Sequence, residues 1–286
     1  MAQTKKKRKK RKKGGSVFWK VILVIAVTGC LVCVGVMIRY MFLQKQADQE
    51  MKDLAQEVSE ERSEEREEPE PEPPAEEEIV KIPINFEELQ AVNPDAYAWI
   101  RIPDTQVDYP VMQTDGEDQS YYLNHTIYGE EKLSGSIYTE KLNSRDFSDP
   151  NTLIYGHNMK NGSMFHDLRY FSDQEFFDEH PYIYIYMPDR MLTYEVVASY
   201  EYDDRHILYA FDFSDEEVFA SYLEEVMHPR SMGAKVREGI ELTTEDKLIT
   251  LSTCTGVDTT RRLVQAVLVE DVKAEYDEEG SGQENE

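Results

Sequence analysis

The hydrophobic pattern divides the chain into stretches of different physical character. Residues 21–38 (VILVIAVTGCLVCVGVMI) are 18 consecutive positions without a charge, bracketed by Lys20 and Arg39. With the largely apolar residues 17–19 and 40–43 on either side, the stretch can cross about 30 Å of hydrocarbon, and the flanking cations can snorkel to the interfaces. It predicts one transmembrane helix, an anchor over residues 17–43. Residues 44–78 have no apolar rhythm. They hold 15 acidic and four basic residues, with Pro69, Pro71, Pro73 and Pro74 near the end, which predicts a self-repelling, extended spacer.

From 79 to 276 the pattern becomes one of short runs. Alternating or apolar segments predict strands at 97–102 and 107–111, flanking a turn at Pro103-Asp104, then at 134–138, 152–155, 182–186, 192–200, 247–253 and 262–269. Helical spacing is confined to a few places. Phe86, Leu89 and Val92 form a short face that ends at Asn93-Pro94. Segments 117–123, 163–170 and 173–177 follow, and 214–227 is amphipathic, with Val218, Tyr222 and Val226 recurring. About 200 residues are enough for one sizeable core. Strands at this density predict a mainly β fold with added helices, arranged as a closed or nearly closed barrel.

Charge sharpens the topology. The net charge of -26 hides a segregation: residues 1–43 hold 11 of the 31 Lys and Arg and none of the 57 Asp and Glu. Lys5 to Lys13 are nine consecutive cations just before the apolar span. The positive-inside rule makes 1–16 a cytoplasmic tail and puts the domain outside the cell, on a single-pass anchor. No small-x-small cleavage site follows Ile38, which argues against a cleaved signal peptide. A basic run in this position reads as juxtamembrane and not as a nucleic-acid footprint. Residues 277–286 are a second acidic stretch, expected to be a disordered tail.

Three cysteines are present, two of them (Cys30 and Cys33) inside the apolar span. Outside it Cys254 stands alone, with no intramolecular disulfide partner, and a lone extracytoplasmic thiol is a candidate nucleophile. Cys254 ends the run Leu248-Ile249-Thr250-Leu251-Ser252-Thr253. Ile249, Leu251 and Thr253 share one face and Thr250, Ser252 and Cys254 the other, so the thiol is expected at the rim of a polar surface. After a six-residue loop the chain returns with Arg261-Arg262. A simple hairpin sets Arg261 opposite Cys254 on the same face, where a cation favours the thiolate. Of six histidines, His157 is placed like the cysteine: it follows the apolar strand and Gly156 and precedes a polar loop. His166 reads as a capping or packing residue, and His125 as a neighbour of the same face. No His, Cys or carboxylate spacing forms a zinc motif or a calcium loop, and no metal or cofactor is expected.

The segments Thr250-Leu251-Ser252-Thr253-Cys254 and Ile154-Tyr155-Gly156-His157-Asn158-Met159 together resemble the signatures of class B sortases, membrane-anchored cysteine transpeptidases of Gram-positive bacteria. The resemblance extends through Asn93-Pro94, Trp99-Ile100, Asp108-Tyr109-Pro110-Val111-Met112-Gln113, Tyr121-Tyr122-Leu123-Asn124-His125 and Gly162-Ser163-Met164-Phe165, covering 83–270 nearly throughout. Thr139-Glu140 departs from it, since an aspartate is expected after the preceding strand. The resemblance implies an eight-stranded sortase-type barrel, catalytic Cys254 and His157, and an arginine five positions before the small residue of a following strand. Counting back from Ala266 gives Arg261. Ser252 and Thr253, beside the nucleophile, are substrate-binding candidates. The implied substrates are secreted proteins with a C-terminal sorting motif of Asn-Pro-x-Thr type, and the implied acceptor is a peptidoglycan precursor or another amine. Polymerisation of pilins through a lysine, hydrolysis, and a non-catalytic membrane-anchored scaffold stay open as alternatives.

Overall fold

The computed structural model describes residues 79–277 except Asp258, together with Arg39. The expected basic tail, the membrane anchor (apart from Arg39), the spacer and nearly all of the acidic tail lie outside the described residues. Among those described, no helix is long and apolar enough to cross a membrane.

Among the described residues ten strands make one sheet: β1 (Val80–Ile82), β2 (Ala96–Arg101), β3 (Asp108–Met112), β4 (Ile137–Tyr138), β5 (Asn151–Tyr155), β6 (Tyr182–Tyr186), β7 (Arg190–Asp203), β8 (Lys235–Val236), β9 (Leu248–Cys254) and β10 (Thr260–Tyr276). Neighbours run β1-β10-β9-β5-β4-β3-β2-β6-β7-β8, and β10 pairs with β7 as well as β9. That second pairing closes eight of the strands into a barrel; β1 and β8 are additions on β10 and β7. All eight expected strands exist, 182–186 with the expected bounds and the others with shifted ends. The segment expected at 134–138 pairs only through Ile137–Tyr138. β10 runs seven residues past Val269, because Glu270, Asp271 and Lys273 still find ladder partners on β7. Arg190 meets Asp271 at 3.2 Å there. An exposed, charged strand end carries no hydrophobic signal, so the pattern stopped short of it.

The helices are α1 (Phe86–Val92), α2 (Gln174–Glu179), α3 (Ile207–Ala210) and α4 (Glu216–Met227), with 310 turns at Tyr121–Leu123 and Phe165–Ser172. Asn85, Asp173 and Asp215 cap α1, α2 and α4 by accepting from free backbone N–H groups of the first turn, and Glu216 and Glu217 suit the positive end of α4. The buried face of α4 is Phe219, Tyr222, Leu223 and Val226, with Val218 only half-buried.

Strand alternation feeds two cores. Ile154, Ile249, Leu251, Val264 and Ala266 belong to the barrel core with Trp99 and Val111. Leu153, Leu248, Leu263 and Val267 point the other way, into the layer roofed by α4. This corrects the expectation of a polar surface on the Cys254 face. Thr250 and Ser252 are buried on that face and only Cys254 emerges. Thr250 belongs to a hydrogen-bonded layer with Gln265, Asn151, Tyr200 and Tyr222. Gln265 donates to Tyr222 Oη at 2.7 Å and to Thr250 Oγ1 at 3.1 Å, Thr250 donates to Asn151 Oδ1 at 2.8 Å, and Tyr200 donates to Gln265 Oε1 at 2.7 Å. A buried polar layer survives only when paired in this way.

Candidate active site

β5 and β9 run parallel side by side, with Tyr155 level with Ser252. Their C-terminal ends therefore emerge together, His157 two residues past Tyr155 and Cys254 two past Ser252, on strands about 4.8 Å apart. Gly156 makes the exit possible. A Cβ there would overlap Ile137 Cδ1 and stand 2.7 Å from Phe165 Cδ2. β9 and β10 are antiparallel, and the register sets Arg261 directly against Cys254 and Arg262 against Thr253. Alternation then separates the arginines. Arg261 shares the face of Cys254, whereas Arg262 reaches Glu201 on β7 at 3.0 Å. The connecting loop is closed by a Thr255–Thr260 hydroxyl contact and turns at Gly256, whose φ of +94° suits glycine.

Cys254 is an exposed free thiol. His157 Nε2 lies 2.7 Å from the carbonyl oxygen of Leu123. A carbonyl only accepts, so Nε2 carries the hydrogen and Nδ1 is the nitrogen left for proton exchange. The Leu123 carbonyl is itself held at a close approach: Gly135, at φ +55°, passes so near that a Cβ would overlap the Leu123 oxygen. A backbone oxygen thus orients the imidazole, the role a carboxylate has in many triads.

The other expected site residues fall less simply. Ser252 and Thr253 are only 7% and 4% exposed, and they sit on opposite faces of β9, Ser252 with Cys254. His125 stacks on Tyr121 at 3.9 Å and bonds the Tyr121 carbonyl at 2.8 Å. His166 is more than a capping or packing residue: its Nδ1 is 2.7 Å from Asn158 Oδ1, and Asn158 donates to the Cys254 carbonyl at 2.8 Å. Burial, reinforced by Arg169, lowers the pKa of His166 below the ordinary histidine value. Glu140, the departure from the family pattern, meets His206 at 2.7 Å. His206 also approaches the Tyr155 hydroxyl at 3.3 Å, and Tyr155 stacks on Tyr138 at 5.4 Å. Burial, then the charges of Glu140, Asp118 and Cys254, raise the Tyr138 hydroxyl far above the usual tyrosine range. Sequence reasoning missed Asn158, His166 and the Leu123 carbonyl as parts of the site. The only available signal was Asn158's place directly after His157.

Among the described residues no three His, Cys, Asp or Glu side chains converge as a metal site would require. Two clefts, of about 680 Å³ beside His166 and Arg169 and about 990 Å³ between α4 and residues 236–244, are lined by none of Cys254, His157 and Arg261. What the strand registers bring to one end of the barrel is a thiol, an imidazole and a guanidinium, residue types able to perform acyl transfer.

Comparison with known proteins gives a consistent picture. Residues 100–269 match the model of the sortase domain. Sortase B of Listeria monocytogenes is 36% identical over 167 residues, which is 58% of this chain and 65% of that protein, so the chain spans a little under two thirds of this relative's length. The crystal structure of Clostridium perfringens sortase B superposes with a TM-score of 0.58 at 31% identity, covering 65% of this chain and all of that one. A sortase B complexed with triglycine superposes with a TM-score of 0.57 at 27% identity, over 65% of this chain and 85% of that one.

Proposed function

The chain belongs to the sortase family, in its class B branch, and from that premise we propose that it is a membrane-anchored cysteine transpeptidase. Its substrates are secreted proteins carrying a C-terminal sorting motif of Asn-Pro-x-Thr type. The Cys254 thiolate attacks the threonine carbonyl carbon. The peptide bond after threonine breaks, and the leaving amine takes a proton from the His157 imidazolium through Nδ1. The resulting thioester is attacked by an amine that gives its proton back to His157, and the thiolate leaves. Arg261, on the thiol's face, donates to the oxyanion that develops in both steps.

The observation that carries this reading is the register: β9 and β10 set Arg261 against Cys254 while β5 delivers His157 to the same end of the barrel. The relative complexed with triglycine supports an acceptor with a free, unhindered amine, such as the branch of a cell-wall precursor. A tether over residues 17–43 would hold the enzyme at the outer membrane face, where substrate and acceptor meet it at high effective concentration.

The test is to incubate the purified chain with an Asn-Pro-x-Thr peptide and triglycine. A threonyl-triglycine product is expected, lost to background in Cys254→Ala and in His157→Ala. Wild-type rates in either variant would contradict the proposal.

A further inference from the structure

The parallel ladder between β5 and β9 ends on an unusual rung. Gly156 N–H donates to Ser252 O at 3.2 Å. In a parallel pair the next bond donated from the β5 side would come two residues on, from the N–H of Asn158 to the carbonyl of Cys254. The backbone has already turned away there. Asn158 bridges to Met164, and the His157 carbonyl accepts from Phe165 N–H at 2.9 Å. The Cys254 carbonyl is taken instead by the side chain of Asn158, whose Nδ2 donates at 2.8 Å.

This bond fixes the rest of the chain of contacts. A carbonyl only accepts, so the amide must present Nδ2 to Cys254 and Oδ1 to the other side. Oδ1 faces His166 Nδ1 at 2.7 Å, and it too only accepts, so Nδ1 carries the hydrogen. The direction runs one way, from His166 through Asn158 to the backbone of the nucleophile.

We propose that Asn158 and His166 are positioning residues, a side-chain rung that lets β5 and β9 part at their ends while the backbone of Cys254 stays locked. Without the splay there is no room between the strands for an imidazole, a thiol and a peptide. Without the rung the last residue of β9 would be held on one side only, by β10. The role rests on the transpeptidase reading, because it concerns where the thiol stands relative to His157. Neither residue touches the reacting atoms. A misplacement of about 1 Å is enough to cost about 100-fold in rate. His166 also lines the cleft formed with Lys160, Arg169 and Asp104, so the far end of the rung meets solvent in a cleft that Cys254 does not line.

The experiment uses the full chain in detergent, with peptide transfer measured as kcat and KM and with amide hydrogen exchange followed over Thr253 to Gly256. In Asn158→Ala, kcat should fall about 100-fold with KM within about threefold of wild type, and exchange over the strand end should quicken. His166→Ala should lose about tenfold in kcat, an amount in keeping with one hydrogen bond. His166→Asn should recover most of that loss, because its amide nitrogen can occupy the place of Nδ1. Unchanged kcat and exchange in Asn158→Ala, a loss appearing in KM alone, or His166→Asn no faster than His166→Ala would each overturn the proposal. If the wild-type chain transfers no peptide, it is the transpeptidase reading that fails, and the exchange rates decide whether the rung exists.

Discussion

Arg261 and Arg262 are adjacent and chemically identical, yet strand alternation gives them different partners. Arg261 stands against Cys254, and Arg262 is held by Glu201. Replacing Arg261 by alanine should lower kcat/KM by the equivalent of about 3–4 kcal/mol, as expected for loss of a preorganised oxyanion donor. Replacing Arg262 should leave peptide transfer within a few-fold and change stability by about 0–1 kcal/mol, the worth of a partly exposed ion pair. Steady-state kinetics and thermal unfolding on both variants check this, and equal losses of activity would refute the division. The pairing of Arg261 with Cys254 was legible in the sequence because period-two alternation and a six-residue loop leave few hairpin registers. The orientation of His157 was not. Its partner is a backbone carbonyl 34 residues away, and no residue type encodes a carbonyl. Asn158 and His166 were hidden for a related reason, since a side chain that replaces a ladder rung is visible only once the rung is seen to be missing.

At the scale of elements, the site depends on two places where strands meet their surroundings. At the end of β5, Gly156 lets Ile137 and Phe165 close beneath His157. Gly156→Ala should destabilise the domain by about 1–3 kcal/mol through overpacking and slow transfer by shifting His157; thermal unfolding and kcat read the two effects. Behind Cys254, α4 and the outer faces of β5, β9 and β10 enclose the polar layer. Removing the Tyr222 hydroxyl in Tyr222→Phe leaves the amides of Gln265 and Asn151 short of an acceptor, and chemical denaturation should show a loss of about 1–3 kcal/mol. A neutral result would mean that water or rotated amides replace the hydroxyl. The amphipathic pattern of 214–227 revealed α4 itself. It did not reveal which face of β9 the helix covers, because Thr250 and Ser252 look equally suited to solvent and to a hydrogen-bonded interior.

For the molecule as a whole, the sequence pattern placed every barrel strand and predicted a closed or nearly closed barrel, but not which strands make the closure. Strand periodicity identifies faces, whereas closure depends on β10 serving two neighbours at once, β9 along its first half and β7 along nearly all of its length. That double service also sets Cys254 and Arg261 at a barrel rim and not on a free hairpin. Acyl transfer at this rim should pass through a thioester on Cys254. The most direct measurement is the intact mass of the full chain, in detergent, quenched in acid during turnover of an Asn-Pro-x-Thr peptide with no amine added. The expected result is a mass increase equal to the acyl fragment ending in threonine, mapped to Cys254, absent in Cys254→Ala and discharged on adding triglycine. Cleavage of the peptide by Cys254→Ala at the wild-type rate, with no adduct on the wild-type chain, would contradict it.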